Sequence, residues 1–253
     1  MSLLARLVKD KRKNALLERL PDDIVVRAGA IAMALTSVPE LRLLKALVDP
    51  LRHAVDVGAN RGIFAYALSL YARSVTAYEP NPLLAERIRH LDLTHVEVRQ
   101  KALSNTTGEA ELTIPLVDGR HLDTRASFHL GDAPGERIRV PLARLDDEGL
   151  TDVGFIKIDV EGHEEDVLHG ATSMIREDRP VLLVEIEQRF STKDIKDIFR
   201  FVESLGYRGA FLSSQGLVPL ARFDVELHQT RLLPDVLHTD YVNNFVFRPL
   251  ERR

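Results

Sequence analysis

Residues 53–62 read His53-Ala54-Val55-Asp56-Val57-Gly58-Ala59-Asn60-Arg61-Gly62, and the fold follows from them. An apolar strand runs into a glycine-bearing turn, and a helical pattern comes next. A second apolar strand, Val75-Thr76-Ala77-Tyr78-Glu79-Pro80, follows and ends on a carboxylate. Strand, glycine turn, helix and strand make the plan of a nucleotide-binding βαβ unit. The glycines let the backbone approach a ligand, and the terminal acid, Glu79, can accept hydrogen bonds from both ribose hydroxyls.

The details of the turn narrow the ligand. It reads Gly58-x-Asn60-x-Gly62, so the third glycine of a dinucleotide fingerprint is missing, and Asp56 precedes the first glycine. A carboxylate at the strand end repels a pyrophosphate and attracts an ammonium group. Those features favour S-adenosylmethionine (SAM) over a dinucleotide. Asn60 tolerates the left-handed backbone that such turns need, and its amide can reach a ligand carboxylate. After the third strand, Lys101-Ala102-Leu103-Ser104 either flanks an adenine or makes a plain strand-to-turn transition.

Outward from this unit, apolar strands alternate with amphipathic helices, which predicts a mostly parallel sheet with helices on both faces. Strands are expected near 53–57, 74–79, 96–101, 154–159, 181–187, 208–213 and 243–248, and helices near 62–72, 82–91, 163–176 and 192–205. Residues 109–114 and 137–142 alternate with period two, which predicts an inserted β-hairpin, with a polar loop between its strands. The connection from Gly216 to about Tyr241 carries His228, His238, Asp240 and Tyr241, and connections of that length tend to be functional or mobile. Ahead of the βα unit, residues 3–20 have leucines at helical spacing among Lys9, Lys11, Arg12 and Lys13; helices near 24–36 and up to about 48 follow. Residues 1–50 are therefore an N-terminal helical segment, serving as a cap, a lid or an oligomer contact, and 51–253 the main domain. A basic amphipathic helix can also lie on a membrane or a partner.

A second motif lies at 155–164, Phe155-Ile156-Lys157-Ile158-Asp159-Val160-Glu161-Gly162-His163-Glu164. Alternation puts Lys157, Asp159 and Glu161 on one side, at the strand's carboxyl end. The next strand closes on Glu185 and Glu187. Adjacent strands thus bring four carboxylates towards one crevice, where a proton, a cation or a basic substrate should settle. Glu164 and Glu165 read as helix-start acids. His163 is a candidate general base for a hydroxyl acceptor, or else a helix-start cap. Asp159, Glu161 and Glu185 offer oxygen donors that suit Mg²⁺ or Ca²⁺, but nothing in their spacing requires a metal. The loop histidines His121, His129, His228 and His238 read as solvated residues.

The chain has 253 residues, 45% hydrophobic and 28% charged, as ordinary globular proteins do. A formal charge of −4 does not suggest a nucleic-acid partner. The absence of cysteine excludes disulfides, thiolate metal sites and cysteine nucleophiles. No apolar run approaches the ~20 residues that span a bilayer, and no secretory segment opens the sequence, so a cytoplasmic address is expected.

Four stretches, Val55 to Gly62, Tyr78-Glu79-Pro80-Asn81-Pro82, Ala102-Leu103-Ser104 and Ile156 to Glu164, together resemble the FkbM family of SAM-dependent methyltransferases. Val167-Leu168-His169-Gly170-Ala171 and the Glu185 strand are also similar. The resemblance implies a class I (Rossmann-like) methyltransferase α/β fold, with a seven-stranded sheet whose last strand is antiparallel. It implies methylation of a hydroxyl on a sugar, glycan or natural product, leaving S-adenosylhomocysteine (SAH). Carried over by position, Asp56, Gly58, Asn60 and Gly62 hold the methionine end and Glu79 the ribose, with Pro80 and Asn81 completing that motif. Lys101 and Ala102 flank the adenine, although the family often has Asn where this chain has Lys101. Asp159 and Glu161 lie near the transferring methyl, Asp159 also counting among the cofactor contacts. Two other readings compete: a nicotinamide-dependent oxidoreductase, and a noncatalytic SAM-fold module that works through its N-terminal helix.

Overall fold

The computed structural model describes residues 26–27, 30, 40–117, 120–121, 135–213, 216–236 and 238–251. Strand β1 (His53–Val57) takes a central place because Ala54, Val55 and Val57 need cover on both sheet faces, and all three are buried. It pairs in parallel with β2 (Ser74–Tyr78) on one side and β8 (Val153–Ile158) on the other. Beyond β2 lies β3 (Val96–Arg99); beyond β8 lie β9 (Val181–Glu185), β12 (Asn244–Pro249), β10 (Tyr207–Ser213) and β11 (Gly216–Pro219). Strand β12 is antiparallel to both of its neighbours.

All seven expected strands are present, and β11 makes the sheet eight-stranded. It pairs antiparallel with β10, setting Phe211 opposite Val218. Its four residues begin on Gly216 and end on Pro219, so the sequence shows a loop where an edge strand forms. The expected hairpin is β5 (Gly108–Val117) against β7 (Gly135–Ala143). It is part of a separate four-stranded sheet with β4 (Ala102–Leu103) and β6 (Arg120–His121). Most of the polar loop between its strands, including His129, lies outside the described residues.

Helix α1 (Glu40–Leu47) buries Leu41, Leu44 and Leu47 in the same cluster as Ala54, Phe155 and Leu183, so this part of the N-terminal segment caps the domain's own core. The stretch 3–20 lies outside the described residues. Helix α2 (Ile63–Ser69) follows the glycine turn, and α3 (Pro82–His90) follows β2. Helix α3 is capped by Asn81, whose side chain accepts from Leu83 N, and opens on Pro82, the favoured first residue.

The helix expected over 163–176 is two helices, α4 (Glu164–Gly170) and α5 (Thr172–Asp178). A β-carbon on Gly170 would lie 1.9 Å from the Ser104 carbonyl oxygen, so the loop after β4 presses into the break. There the Thr172 hydroxyl also donates to His169 O at 2.9 Å, competing for helix carbonyls. Helix α6 (Lys196–Ser204) carries Phe199 into an aromatic cluster with Phe223 and Phe245, at centroid distances of 5.7 and 4.7 Å. That cluster holds the segment after β11, including α7 (Val225–His228), against the sheet. Because β1, β2, β8 and β9 are parallel, their carboxyl ends share one edge, where open α/β sheets bind ligands.

Candidate active site

At that edge the turn after β1 is built by backbone. Gly58 N and Ala59 N both donate to Tyr78 O at 3.0 Å. Gly58 (φ 75°) and Gly62 (φ 82°) are left-handed, as is Asn60 (φ 52°), the non-glycine residue chosen for that tolerance. Gly58 has a second constraint: an added β-carbon would lie 1.9 Å from Asp159 O. The ends of β1 and β8 therefore meet at a glycine that no larger residue can replace without displacing backbone.

Glu79, expected at the ribose, fixes this turn. Its Oε2 accepts from Asn60 N at 2.7 Å and its Oε1 from Asn81 N at 2.9 Å. Burial pushes its carboxyl up to about 7, against the pull of those two amides. Asn81 is fully buried and its carbonyl oxygen caps α3, so its side chain shapes the turn from below. Pro80 beside it is half-buried.

Asp56 is also fully buried. Neither of its oxygens has a hydrogen-bond partner, and Lys157 Nζ, 3.4 Å from Oδ1, supplies the countercharge. Lys157 stands in a strand that is otherwise apolar. Its ammonium donates to Gly58 O at 3.0 Å, lies 3.3 Å from Asp159 Oδ2 and sits over the Phe64 ring. Burial would lower the lysine's pKa, but Asp159 and Asp56 outweigh it and hold it above the ordinary value. This lysine ties the two motifs read from the sequence into one unit.

The carboxylates at the ends of β8 and β9 converge, although of the four expected there only Glu185 lies within a strand. Asp159, Glu161, Glu164, Glu185 and Glu187 line one crevice together with Phe190. Glu164, read as a helix-start acid, turns inward: its Oε1 accepts from Gly162 N at 2.9 Å and Val160 N at 3.3 Å, shaping the loop that carries Glu161. Burial raises its carboxyl to about 7. Glu187 accepts from Arg189 Nη2 at 2.7 Å and from the Tyr241 hydroxyl. Glu185 accepts from Asn243 Nδ2 at 2.7 Å. Its carboxyl is pushed well above the ordinary range by burial, and then by the charges of Asp159 and Glu187.

His163 lies apart from that lining. Its Nε2 is 3.0 Å from Ser104 Oγ and its Nδ1 is 3.2 Å from Asp166 Oδ2. It joins the loop after β4 to the start of α4. On the adenine side, Ala102 is buried in β4, and Lys101 Nζ pairs with Glu148 Oε1 at 3.1 Å. Arg99 and the Tyr78 hydroxyl converge on the same glutamate. The lysine at this position thus has a partner inside the protein. His228 stacks on Phe223, and His238 is 3.8 Å from Asp240; neither enters the crevice lining.

Several residues of the site have no mark in the sequence. Gln229, 1% exposed, donates to Ile186 O and Val242 O at 2.8 Å and accepts from Gln188 N at 2.8 Å. It pins the segment after β11 to the end of β9. Asn243, Arg189 and Phe190 likewise enter only through the fold. Looking just past Glu187 for an aromatic neighbour would have found Phe190.

The sequence matches the Methyltransferase FkbM domain over residues 56–208, more than half of the chain. The chain belongs to the FkbM methyltransferase family. The FkbM match runs from Asp56 to the start of β10, so it holds both motifs and stops before the Gln229 and Tyr241 segment. The structure is similar to the crystal structure of Methyltransferase FkbM from Methylobacillus flagellatus KT, at 17% identity and a TM-score of 0.50. That likeness covers 92% of this chain and 57% of the other, so the chain spans little more than half of that protein's length. A TehB-like SAM-dependent methyltransferase from Corynebacterium glutamicum is similar at 13% identity and a TM-score of 0.46, over 88% of this chain and 92% of that one. A SAM-dependent methyltransferase from Aquifex aeolicus follows at 13% identity and 0.45, over 86% and 92%. No curated protein matches the sequence.

Membership of a methyltransferase family implies SAM as the cofactor, and the residues of this site fit it. Buried carboxylate oxygens of Asp56 without hydrogen-bond partners, and an acidic crevice beside the turn, suit a ligand with ammonium and sulfonium charges and misfit a pyrophosphate. Membership of the family sets the nicotinamide reading aside. Among the described residues no group of histidines and carboxylates is arranged to hold a metal ion, and no helix is long and apolar enough to cross a membrane.

Proposed function

We propose that this chain is a SAM-dependent O-methyltransferase acting on a hydroxyl of a sugar, glycan or natural product. The observation that carries the reading is the acidic crevice of Asp159, Glu161, Glu185 and Glu187, set against the glycine turn through the Gly58–Asp159 contact. SAM supplies an electrophilic methyl carbon that an acceptor oxygen takes while the C–S electron pair stays on sulfur. The chain's own work is alignment and exclusion of water, which can supply much of a displacement's acceleration. The turn at 58–62 holds the methionine end, with Asp56 and Lys157 fixing its floor. Glu79 positions the turn and presents its remaining lone pairs to the ribose, and Ala102 borders the adenine. Asp159 and Glu161 face the methyl position. His163 holds the Ser104 loop against α4 and acts by position. The N-terminal segment serves as cap or oligomer contact.

The test is transfer of labelled methyl from SAM to a panel of glycans and hydroxylated natural products, with Asp159→Ala beside the wild type. Methyl ether formation that collapses in the variant supports the reading. Equal turnover in both proteins removes Asp159 from the mechanism, and N-methyl products alone overturn the oxygen acceptor.

A further inference from the structure

Among the described residues, the acids that line the crevice have partners that differ in kind. Asp159 Oδ2 lies 3.3 Å from Lys157 Nζ. Glu187 has the guanidinium of Arg189 and the hydroxyl of Tyr241. Glu164 is held by backbone amides at 160 and 162. Glu161 stands on the left-handed turn between them. Glu185 is different: its hydrogen bond comes from a neutral amide, Asn243 Nδ2, at 2.7 Å. That amide's orientation is fixed, because Asn243 Oδ1 accepts from Asn244 Nδ2 at 3.1 Å. Oε1 of Glu185 is thereby kept as an acceptor, which leaves Oε2 as the oxygen to carry a proton.

A carboxylate bonded to a cation is a weak base, and one surrounded by other carboxylates is a stronger one. Glu185 shares the crevice with Asp159 and Glu161, just past the end of β8, and with Glu187, just past the end of β9; Lys157 opposes the effect of these acids. Burial and these like charges favour its protonated form when the crevice holds no cation. A sulfonium placed beside it favours the ionised form instead.

We propose that Glu185 is the proton acceptor of the methyl transfer, and that it keeps a proton in the free enzyme until a cationic cofactor displaces it. The proposal rests on the function given above. The donor's arrival would then create the base that its own reaction needs. As the acceptor oxygen bonds to the methyl carbon, its hydroxyl proton passes to Oε2 of Glu185, and the acid is neutral again when the thioether product is left. A neutral sulfur beside a neutral acid has no charge attraction to hold it, which favours product release.

Proton release on binding tests this without any acceptor. Titration calorimetry of SAM and of SAH at neutral pH, each in phosphate and in Tris, separates binding heat from buffer ionisation heat. The expected result is that SAM releases about one proton more than SAH, since the ligands differ by the charge on sulfur. Glu185→Gln, checked for folding by circular dichroism, should bind SAM and lose that difference. Equal release for SAM and SAH in the wild type overturns the proposal, as does an undiminished difference in a folded Glu185→Gln protein. The wild-type comparison stands alone if the variant does not fold. Absence of heat for both ligands would instead sink the reading of the chain as a SAM enzyme.

Discussion

The two sides of the cleft, the proposed donor side and the proposed acceptor side, are made from different material. Around the glycine turn, groups close in the chain do the work: Gly58 and Ala59 amides on Tyr78 O, and Asn60 and Asn81 amides on Glu79. Around the acidic crevice, side chains far apart in sequence meet: Tyr241 with Glu187, Asn243 with Glu185, Gln229 with Ile186. The first arrangement suits a ligand that never changes, since backbone geometry can be written in a few residues. The second can be rewritten one side chain at a time. The two sides touch where Gly58 packs on the Asp159 carbonyl.

The contact between them gives the largest expected effect. Gly58→Ala meets a backbone oxygen at 1.9 Å in a left-handed conformation, so the variant should lose about 3 kcal/mol of stability, from overpacking plus backbone strain. Urea unfolding measures the loss, and calorimetry should show SAM binding abolished. A stable Gly58→Ala protein that binds SAM normally would break the claim that the donor side is built by backbone.

Gln229→Leu sharpens the other half. It strands the carbonyls of Ile186 and Val242 and the Gln188 amide, at a cost of about 2 kcal/mol or more. Its SAM affinity should stay near wild type while acceptor turnover falls. Loss of SAM binding in a folded variant would show that the halves are not separable.

Acidity offers a third handle. Glu79 and Glu164 have folded-state values of about 7, above the ordinary 4.5, so the native protein binds protons more tightly than the unfolded chain. Their contribution to stability is full below about 4.5 and is lost as pH rises through about 7. Thermal unfolding followed across that window should show the melting point falling as pH rises, and the double variant Glu79→Gln, Glu164→Gln should flatten the slope. An unchanged slope in that variant assigns the dependence elsewhere.

The smallest effect is expected for Tyr241→Phe. Removing one hydroxyl from Glu187 should cost about 1 kcal/mol in stability. KM for the acceptor should rise and the dissociation constant for SAM should not. A change confined to SAM affinity would place Tyr241 on the donor side after all.

This division also explains what could be read from the amino-acid order. Asp56, Gly58, Asn60 and Glu79 sit within one βαβ unit whose spacing is rigid, so strand, turn and terminal acid were visible together. Asp159, Glu161, Glu185 and Glu187 were expected together at the ends of adjacent strands, although only Glu185 lies within a strand and Glu161 stands on a left-handed turn. Their partners were hidden because Gln229, Tyr241 and Asn243 depend on how an irregular segment folds back across the sheet, which no local periodicity encodes. Strand β11 was missed for a related reason: four residues between Gly216 and Pro219 carry too little pattern to outweigh their ends. His163 shows the converse. Its sequence position suggests a base or a helix-start cap, and its contact with Ser104, 59 positions away, comes only from the fold.

The pinning of the segment after β11 by a buried glutamine and a few neighbouring side chains has an evolutionary corollary. A stretch attached to its host through a few side chains, Gln229, Tyr241 and Asn243, and an aromatic plug can be exchanged between relatives as a cassette. Lineages could thus explore new chemistry by trading this cassette while inheriting the methyl-donor machinery untouched.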